Sequence, residues 1–464
     1  MDEVKIQIEK YNQKGDGIGL LEGCRVEIPH ALKGDTVIAQ VTQKRKNRRK
    51  GRVESILEAS PHRQQPLCPH SMMCGGCTWH CLDYQEELNM KTSFINDAFH
   101  FLDKPFENHP IISSPSLWNY RNKMEFSFSQ NKANTKFLGL MIAKAQKYVF
   151  NLEDCHLAGT WFASVVKAVR GWWEKSNIRA YNPMDDSGSL RNLTLREGKK
   201  TQEKMIILTV SGRAEFAISK TDLDQFVNII KETLQEEENK ISIFLRIHQA
   251  VKGQPTQFFE MLLHGKDHII EKIDLPHKSY QFKISPSSFF QPNTLQAEKL
   301  YTEACNLLKP IDPESVVYDL YCGTGTLSLA IASLVKEVIG IELNPYAICD
   351  AEINQELNNL KNITFLKGDV GQVLKDNPQL KKPDIVIVDP PRAGLDEKAM
   401  EEIRLLNPKI ILYVSCNALT QSENVKNLLD LYDVKSMQPL DQFPHTLHCE
   451  NIILLNRKAS TKET

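Results

Sequence analysis

The chain has 464 residues, 41% of them hydrophobic and 25% charged, with a formal net charge of -1. That length is too great for one ordinary domain, the apolar share is enough for real cores, and the near-neutral balance excludes a general attraction to polyanions. The eleven cysteines are odd in number and spread along a long chain, which excludes a small disulfide-stapled scaffold. The first ten residues hold no signal-peptide core, and no stretch approaches about 18 uninterrupted apolar residues. No membrane span is therefore expected, and a reducing cytoplasm is the expected setting.

Residues 1 to about 57 read as a small β-domain. Val4-Lys5-Ile6-Gln7-Ile8 alternates at period two, Gly15, Gly17 and Gly19 suit turns or close backbone contacts, and Val37–Val41 is a second strand. That strand runs into Lys44, Arg45, Lys46, Arg48, Arg49, Lys50 and Arg52. So many cations in one short stretch repel each other unless an anion approaches, so a small barrel with a phosphate-binding loop is predicted.

Residues 58–285 form a mixed α+β region. Cys68, Cys74 and Cys77 stand as Cys-x5-Cys-x2-Cys, and Gly75 and Gly76 let the loop close tightly around a metal. Cys81 and Cys155 compete as the fourth ligand. Zinc and iron–sulfur clusters both accept four thiolates, and the spacing does not separate them. Four such ligands leave no position open for substrate, so the site reads as one that holds the fold together. Residues 124–128 and 205–210 read as strands, 160–174 and 222–236 as helices.

The pattern changes at about residue 286. Strands at 316–318, 338–341, 363–366, 385–388 and 410–414 alternate with helices, one running through Leu334 and one over 345–359, and a late strand spans 451–455. Repeated βα units with short connections predict a mostly parallel, doubly wound α/β domain over 286–464. In such sheets the strand ends line the ligand crevice. Gly323 and Gly325 occupy the first βα turn, but the third glycine of a dinucleotide fingerprint is missing. Glu342 ends the second strand, where a carboxylate can accept both ribose hydroxyls, and Asp369, after the third, is placed to reach an adenine edge. Together these predict S-adenosylmethionine rather than NAD.

Asp389-Pro390-Pro391-Arg392 follows the fourth strand. The two prolines force a stiff turn that can aim Asp389 at a flat nucleobase. Cys416 follows the fifth strand and opens onto the same crevice, where a nucleophile is the favoured reading. Uracil C5 is too weak a nucleophile to take a methyl group until a thiolate adds at C6, and covalent addition divides the substitution into feasible steps. Glu450 stands just before the last strand. If that strand is antiparallel, Glu450 reaches the crevice as general base. His445 and His448 compete for that role and are read as positioning groups. Gln291, in Ser288-Phe289-Phe290-Gln291, is a further base-contacting candidate, and Phe289 a stacking one.

The motifs Asp-Leu-Tyr-Cys-Gly-Thr-Gly at 319–325, Asp-Pro-Pro-Arg-Ala-Gly at 389–394, Tyr-Val-Ser-Cys-Asn at 413–417 and Phe-Pro-His-Thr at 443–446 with Glu450 resemble those of the RNA (uracil-5-)-methyltransferase family. The likeness is greatest to the 23S ribosomal-RNA branch with a TRAM domain and a [4Fe–4S] cluster. The resemblance implies a Rossmann-like methyltransferase domain at 286–464, a TRAM RNA-binding β-barrel at 1–57 and an iron–sulfur domain at 58–285. It implies a cluster held by Cys68, Cys74, Cys77 and Cys155, with Cys81 a bystander, Cys416 as nucleophile and Glu450 as base. Gln291, Tyr321, Thr326, Glu342, Asp369 and Asp389 match positions that contact the methyl donor or the base. Thr326 and Asp369 stand where some relatives carry asparagine, and both can still hydrogen-bond. A monomer acting on 23S rRNA is expected, with a transfer-RNA uracil-5-methyltransferase as the alternative and an RNA cytosine-5-methyltransferase behind it.

Overall fold

The computed structural model describes residues 3–45, 48–143, 145, 148–250, 253 and 256–459, so Lys46 of the basic cluster lies outside the described residues. The chain opens with β1 (Glu3–Gln7), β2 (Lys10–Tyr11), β3 (Gly17–Leu21), β4 (Cys24–Ile28), β5 (Thr36–Arg45) and β6 (Arg48–Glu58), ordered β1-β5-β6-β4-β3-β2 in one sheet. Ile6, Ile8, Val26, Ile28, Val37 and Ala39 fill its inner face. Gly19 lets β3 press on β1, since a Cβ there would stand 2.3 Å from the Gln7 carbonyl oxygen. Just beyond β1, the Glu9 amide donates to the Ile18 carbonyl of β3 at 2.9 Å. Among the described residues no ladder links β1 to β2 or β3, so the expected barrel is a curled sheet without continuous closure.

Two elements that follow belong to the far end of the molecule. Helix α1 (Tyr84–Ala98) starts at Asp83, whose carboxylate accepts from the Gln85 and Glu86 amides. Its Ile95 and Ala98 join the apolar layer of Val316, Tyr318 and Tyr413. Strand β7 (Glu107–Asn108) adds to the edge of the C-terminal sheet beside residues 436–437.

A second sheet comprises β8 (Lys123–Gln130), β9 (Lys136–Gly139), β10 (Leu190–Glu197), β11 (Lys204–Ser211), β12 (Ile241–Gln249) and β13 (Gln257–His264), ordered β13-β12-β11-β10-β8-β9. Helices α2 (Thr160–Lys175) and α3 (Lys220–Leu234) cover one face through Phe162, Val166, Trp173, Phe226 and Ile230. A hairpin of β14 (Ile269–Leu275) and β15 (Lys278–Ile284) leads onward.

The C-terminal sheet is built from α4 (Thr294–Leu307), β16 (Val316–Leu320), α5 (Thr326–Ala332), β17 (Glu337–Glu342), α6 (Pro345–Leu357), β18 (Ile363–Lys367), α7 (Val370–Asp376), β19 (Ile385–Val388), α8 (Glu397–Leu406), β20 (Ile410–Ser415), α9 (Ala418–Lys426), β21 (Tyr432–Leu440) and β22 (Glu450–Arg457). Its order is β18-β17-β16-β19-β20-β22-β21-β7. Strands β16 to β20 pair in parallel, whereas β22 runs antiparallel to both neighbours. This is a Rossmann-like core, and the winding reverses between β16 and β19, which opens a crevice at their C-terminal ends. Helix α5 ends at Ala332, short of Leu334, because the Leu334 amide turns back to the Ile331 carbonyl. Among the described residues no helix is long and apolar enough to cross a membrane.

Helix α6 seals the open edge of β15. Asp350, Asn354 and Asn358 stand four residues apart on one helical face. They accept the amides of Ser285 (3.2 Å), Lys283 (2.7 Å) and Gln281 (2.9 Å) in turn. Four helical residues rise about 6 Å and two strand residues about 6.8 Å, so the side chains match the strand's outward amides. Asn354 also donates to the Thr324 carbonyl in the first βα turn at 3.1 Å. Asn354→Leu leaves both backbone groups unpaired in the interior and is expected to cost about 2–3 kcal/mol, read by urea unfolding.

Candidate active site

The first βα turn folds back sharply, with Tyr321, Gly323 and Gly325 at φ of 65°, 54° and 79°. The Tyr321 and Cys322 amides both donate to the Ile341 carbonyl, at 2.9 and 3.1 Å, which pins the turn to β17. A Cβ on Gly325 would lie 2.8 Å from the Phe365 ring, whereas one on Gly323 would meet nothing within 4 Å. Gly325 is thus required by packing, and Gly323 faces open space. Glu342 lies across this opening, accepting from the Gly323 amide at 3.2 Å and the Asn344 amide at 2.7 Å. Thr326, the first residue of α5, lies beside the buried Tyr301 phenol. Asp369 is exposed at the head of α7, where it caps the Gln372 amide at 3.1 Å. Tyr321, Glu342 and Thr326 thereby surround one turn, and Asp369 borders it two strands from β16.

Asp319 and Asp389 form the crevice floor. Asp319 is fully buried and accepts from the Ser328 hydroxyl at 2.5 Å. Burial pushes its carboxyl up to about 7. Burial does the same to Asp389, also to about 7, with the Asp319 charge adding to the rise.

The reacting edge comes from the antiparallel strand. Ser415 on β20 pairs with Asn451 on β22, so the next residues toward the crevice, Cys416 and Glu450, stand opposite each other. Burial raises the Cys416 thiol to about 11, and the charge of Glu450 adds to this. Burial raises Glu450 to about 8, with Asp389 adding to it and Arg392 opposing it. Arg392 also opposes the rise at Cys416. It is the cation of this edge, and although it lay in the quoted Asp-Pro-Pro-Arg run, only its placement three residues beyond Asp389 hinted at a role.

Gln291 is buried, and its amide oxygen accepts from Gln442 at 3.2 Å. Phe289 beside it is 65% exposed, free to meet a base, while Phe290 is core. Of the competing histidines, His445 is buried against Trp118, ring centroids 3.9 Å apart. Burial lowers both His445 and His448 to about 4, so both are neutral near pH 7.

Cys68, Cys74, Cys77 and Cys155 line one cavity of about 110 Å³, together with Met124, Trp118 and Arg121. Burial raises all four thiols, and each of Cys77 and Cys155 is raised further by its sulfur neighbours. Cys81 lies apart, packed with Tyr11, Trp79 and Leu82. Among the described residues no group of three or more His, Cys, Asp or Glu side chains is already disposed around a metal position.

Residues 230–458 match the family described as tRNA (Uracil-5-)-methyltransferase. An uncharacterised RNA methyltransferase of Protochlamydia amoebophila is 45% identical over 441 residues, covering 93% of this chain and 99% of that one. Another, from Clostridium tetani, is 34% identical and covers 98% of both chains. Among solved structures, the Pyrococcus abyssi tRNA (uracil-54, C5)-methyltransferase in complex with S-adenosyl-L-homocysteine superposes with a TM-score of 0.75 at 27% identity, covering 97% of this chain and 99% of that one.

The floor carboxyls suit a cationic donor. Protons leave Asp319 and Asp389 as the pH rises through about 7, and each anion formed favours a sulfonium over a neutral thioether. The affinity ratio of S-adenosylmethionine to S-adenosylhomocysteine is therefore expected to rise about three- to tenfold between pH 6 and 8.5, read by calorimetry. By its motifs, its Rossmann-like core and these relatives, the chain belongs to the RNA (uracil-5-)-methyltransferase family, as an enzyme that uses S-adenosylmethionine.

Proposed function

We propose that Cys416 is the nucleophile and Glu450 the general base of methyl transfer to C5 of a uridine. The observation that carries this reading is the Ser415–Asn451 pairing, which brings the two side chains to one crevice. Cys416 adds as thiolate to C6, forming an S–C6 bond and moving the ring π-pair toward C5 and O4. S-adenosylmethionine, when bound, supplies the methyl group as an electrophile. Once C5 carries it, Glu450 takes the C5 proton, the C5–C6 double bond re-forms and the thiolate leaves. Arg392 favours the thiolate that burial disfavours. Glu342, Asp369, Tyr321 and Thr326 are assigned to the donor, and Asp389 and Gln291 to the base or donor.

A flipped-out uridine is the form that can enter such a crevice. Transfer RNA is the substrate favoured here, because both the matched family description and the Pyrococcus abyssi structure concern tRNA. The 23S rRNA reading is the second, and the four-cysteine cavity favours it through the resemblance to the cluster-bearing ribosomal branch. The curled N-terminal sheet, with Arg49, Lys50 and Arg52 on β6, is assigned to RNA as a TRAM domain. Domain limits of 1–57, 58–285 and 286–464 accompany this assignment.

A [4Fe–4S] cluster fits the four thiols chemically, since they line one cavity, which they share with Glu125, Asp154 and three histidines. Cys68, Cys74, Cys77 and Cys155 would hold it, and its contribution there is to cross-link distant segments. Anaerobically purified protein is expected to carry iron and sulfide in about a four-to-four ratio. Stoichiometric zinc without iron overturns the cluster.

The test of the main reading uses both RNAs. Wild-type enzyme with labelled donor is expected to form 5-methyluridine in a tRNA transcript, and Cys416→Ala to form none while binding S-adenosylhomocysteine within about threefold of wild type. Turnover by Cys416→Ala refutes the covalent role. Methylation of 23S rRNA fragments alone transfers the assignment to ribosomal RNA.

A further inference from the structure

Helix α1 precedes the methyltransferase core by some two hundred residues, yet it buries charge against the loop that carries Glu450. Lys91, Glu87 and Asp441 have fully buried side chains. The Lys91 ammonium donates to Glu87 Oε1 and Asp441 Oδ1, both at 2.6 Å, and to the Phe443 carbonyl at 3.2 Å, which uses all three of its protons. Asp441 Oδ2 accepts from the Tyr84 phenol at 2.8 Å, and Glu87 Oε1 accepts from the His445 amide at 2.8 Å.

Every residue from 441 to 445 is tied to a distant element. The Asp441 amide donates to the Ile112 carbonyl at 2.9 Å, and Gln442 bonds Gln291 and Asn293. The Pro444 carbonyl accepts from the Tyr120 phenol at 3.0 Å. The His445 carbonyl accepts from the Thr78 and Trp79 amides at 2.9 and 3.0 Å. The loop closes where Leu440 pairs with Glu450, and there the Cys449 thiol donates to the Leu440 carbonyl at 3.0 Å. Asp441 therefore sits one residue from the partner of Glu450.

Three buried ionisable groups are a poor way to gain stability, because an apolar trio of similar volume commonly does as well, but they specify one geometry. We propose that the Glu87–Lys91–Asp441 triad is a positioning device for proton abstraction, holding the 441–449 loop so that Glu450 meets the C5 proton of a base attached to Cys416. This rests on the reading of Glu450 as base. In that step the C5–H pair becomes the C5–C6 double bond, the proton passes to Glu450, and the S–C6 bond breaks to return the thiolate. A misaimed base slows this step alone, so the methylated covalent adduct accumulates.

The test compares the full-length wild type, Glu450→Gln, the neutral triple variant Glu87→Gln/Lys91→Met/Asp441→Asn and the single variant Tyr84→Phe, on an RNA that the wild type methylates. Steady-state rates and denaturant-resistant RNA–protein adduct are read together. The triple variant is expected to lose about 100-fold in kcat with KM for RNA and donor within about threefold, and to accumulate adduct as Glu450→Gln does. A folded triple variant with wild-type kcat, or one whose loss comes without adduct, overturns the proposal. If the triple variant fails to fold, Tyr84→Phe decides. It removes the phenol bond to Asp441 and, with it, the acceptor of the Ser114 amide (2.8 Å), and a roughly threefold slower rate with adduct above wild type supports positioning, whereas wild-type behaviour reduces the triad to scaffolding and overturns it. Absence of adduct with Glu450→Gln overturns the reading of the base, and this inference with it.

Discussion

The antiparallel pairing of β22 with β20 is the constraint on which the site depends. In a parallel sheet only the C-terminal strand ends face the ligand crevice, so every residue they supply comes from the end of a strand. Asp319, Glu342, Asp389 and Cys416 all obey this. Glu450 begins its strand, and it reaches the same edge because β22 runs the other way. A slip of one residue would turn Glu450 to the opposite face. Both faces of the strand are apolar, with Ile452 and Leu454 in one core layer and Ile453 and Leu455 in the other, so polar partners have to set the register. Buried Gln421 adds a polar lock directly behind the site, donating to the Tyr413 and Asn451 carbonyls at 2.9 and 3.1 Å and accepting from the Asn451 amide group at 2.9 Å.

That geometry gathers acids in a place that disfavours their charge. Asp319 and Asp389 are each raised from 3.8 to about 7 mainly by burial, which corresponds to about 4 kcal/mol of penalty on each carboxylate. Glu450 and Cys416 are pushed the same way. Against this stands Arg392, which opposes the rise at both Glu450 and Cys416. Desolvation outweighs that one cation, so these groups keep their protons to higher pH than they would in water. In the proposed assignment of these acids to the donor and the base, a sulfonium supplies positive charge beside them, and the burial that restrains the acids strengthens its attraction.

Much of this was legible because local pattern and topology agree. The βα repeats from Val316 onward follow apolar runs bounded by turn residues, and the chemistry sits at the ends of those runs. Residues 316–320, 337–342, 385–388 and 410–415 are strands for the same reason that Asp319, Glu342, Asp389 and Cys416 line a crevice. What was not legible involves long-range partners. Nothing local in Lys91 distinguishes it from any helical lysine four residues after a glutamate, and its burial depends on Asp441, 350 residues away. Strand β7 has two exposed residues and no apolar alternation, so its place beside β21 follows from pairing alone. Closure of the N-terminal strands into a barrel depends on long-range pairing that alternation does not encode, whereas the reading of Gly19 as a close backbone contact is what the strand packing shows.

The same distinction explains why α1 is joined to the C-terminal region by buried polar contacts as well as apolar ones. Helix α1 uses Ile95 and Ala98 to pack on the sheet, and that face is enough to hold it there. An apolar patch fixes a helix on a surface but tolerates sliding, because dispersion and burial are non-directional. The loop between β21 and β22 has no regular ladder of its own to define it, and in the proposed role of Glu450 it has to bring one carboxylate to one proton. Lys91 meets two carboxylates and a carbonyl at once, and only one placement of α1 against residues 441–443 satisfies all three. Leaving any of those groups unpaired in the interior is costly, so alternative loop placements are excluded by the very burial that makes the triad a poor source of stability.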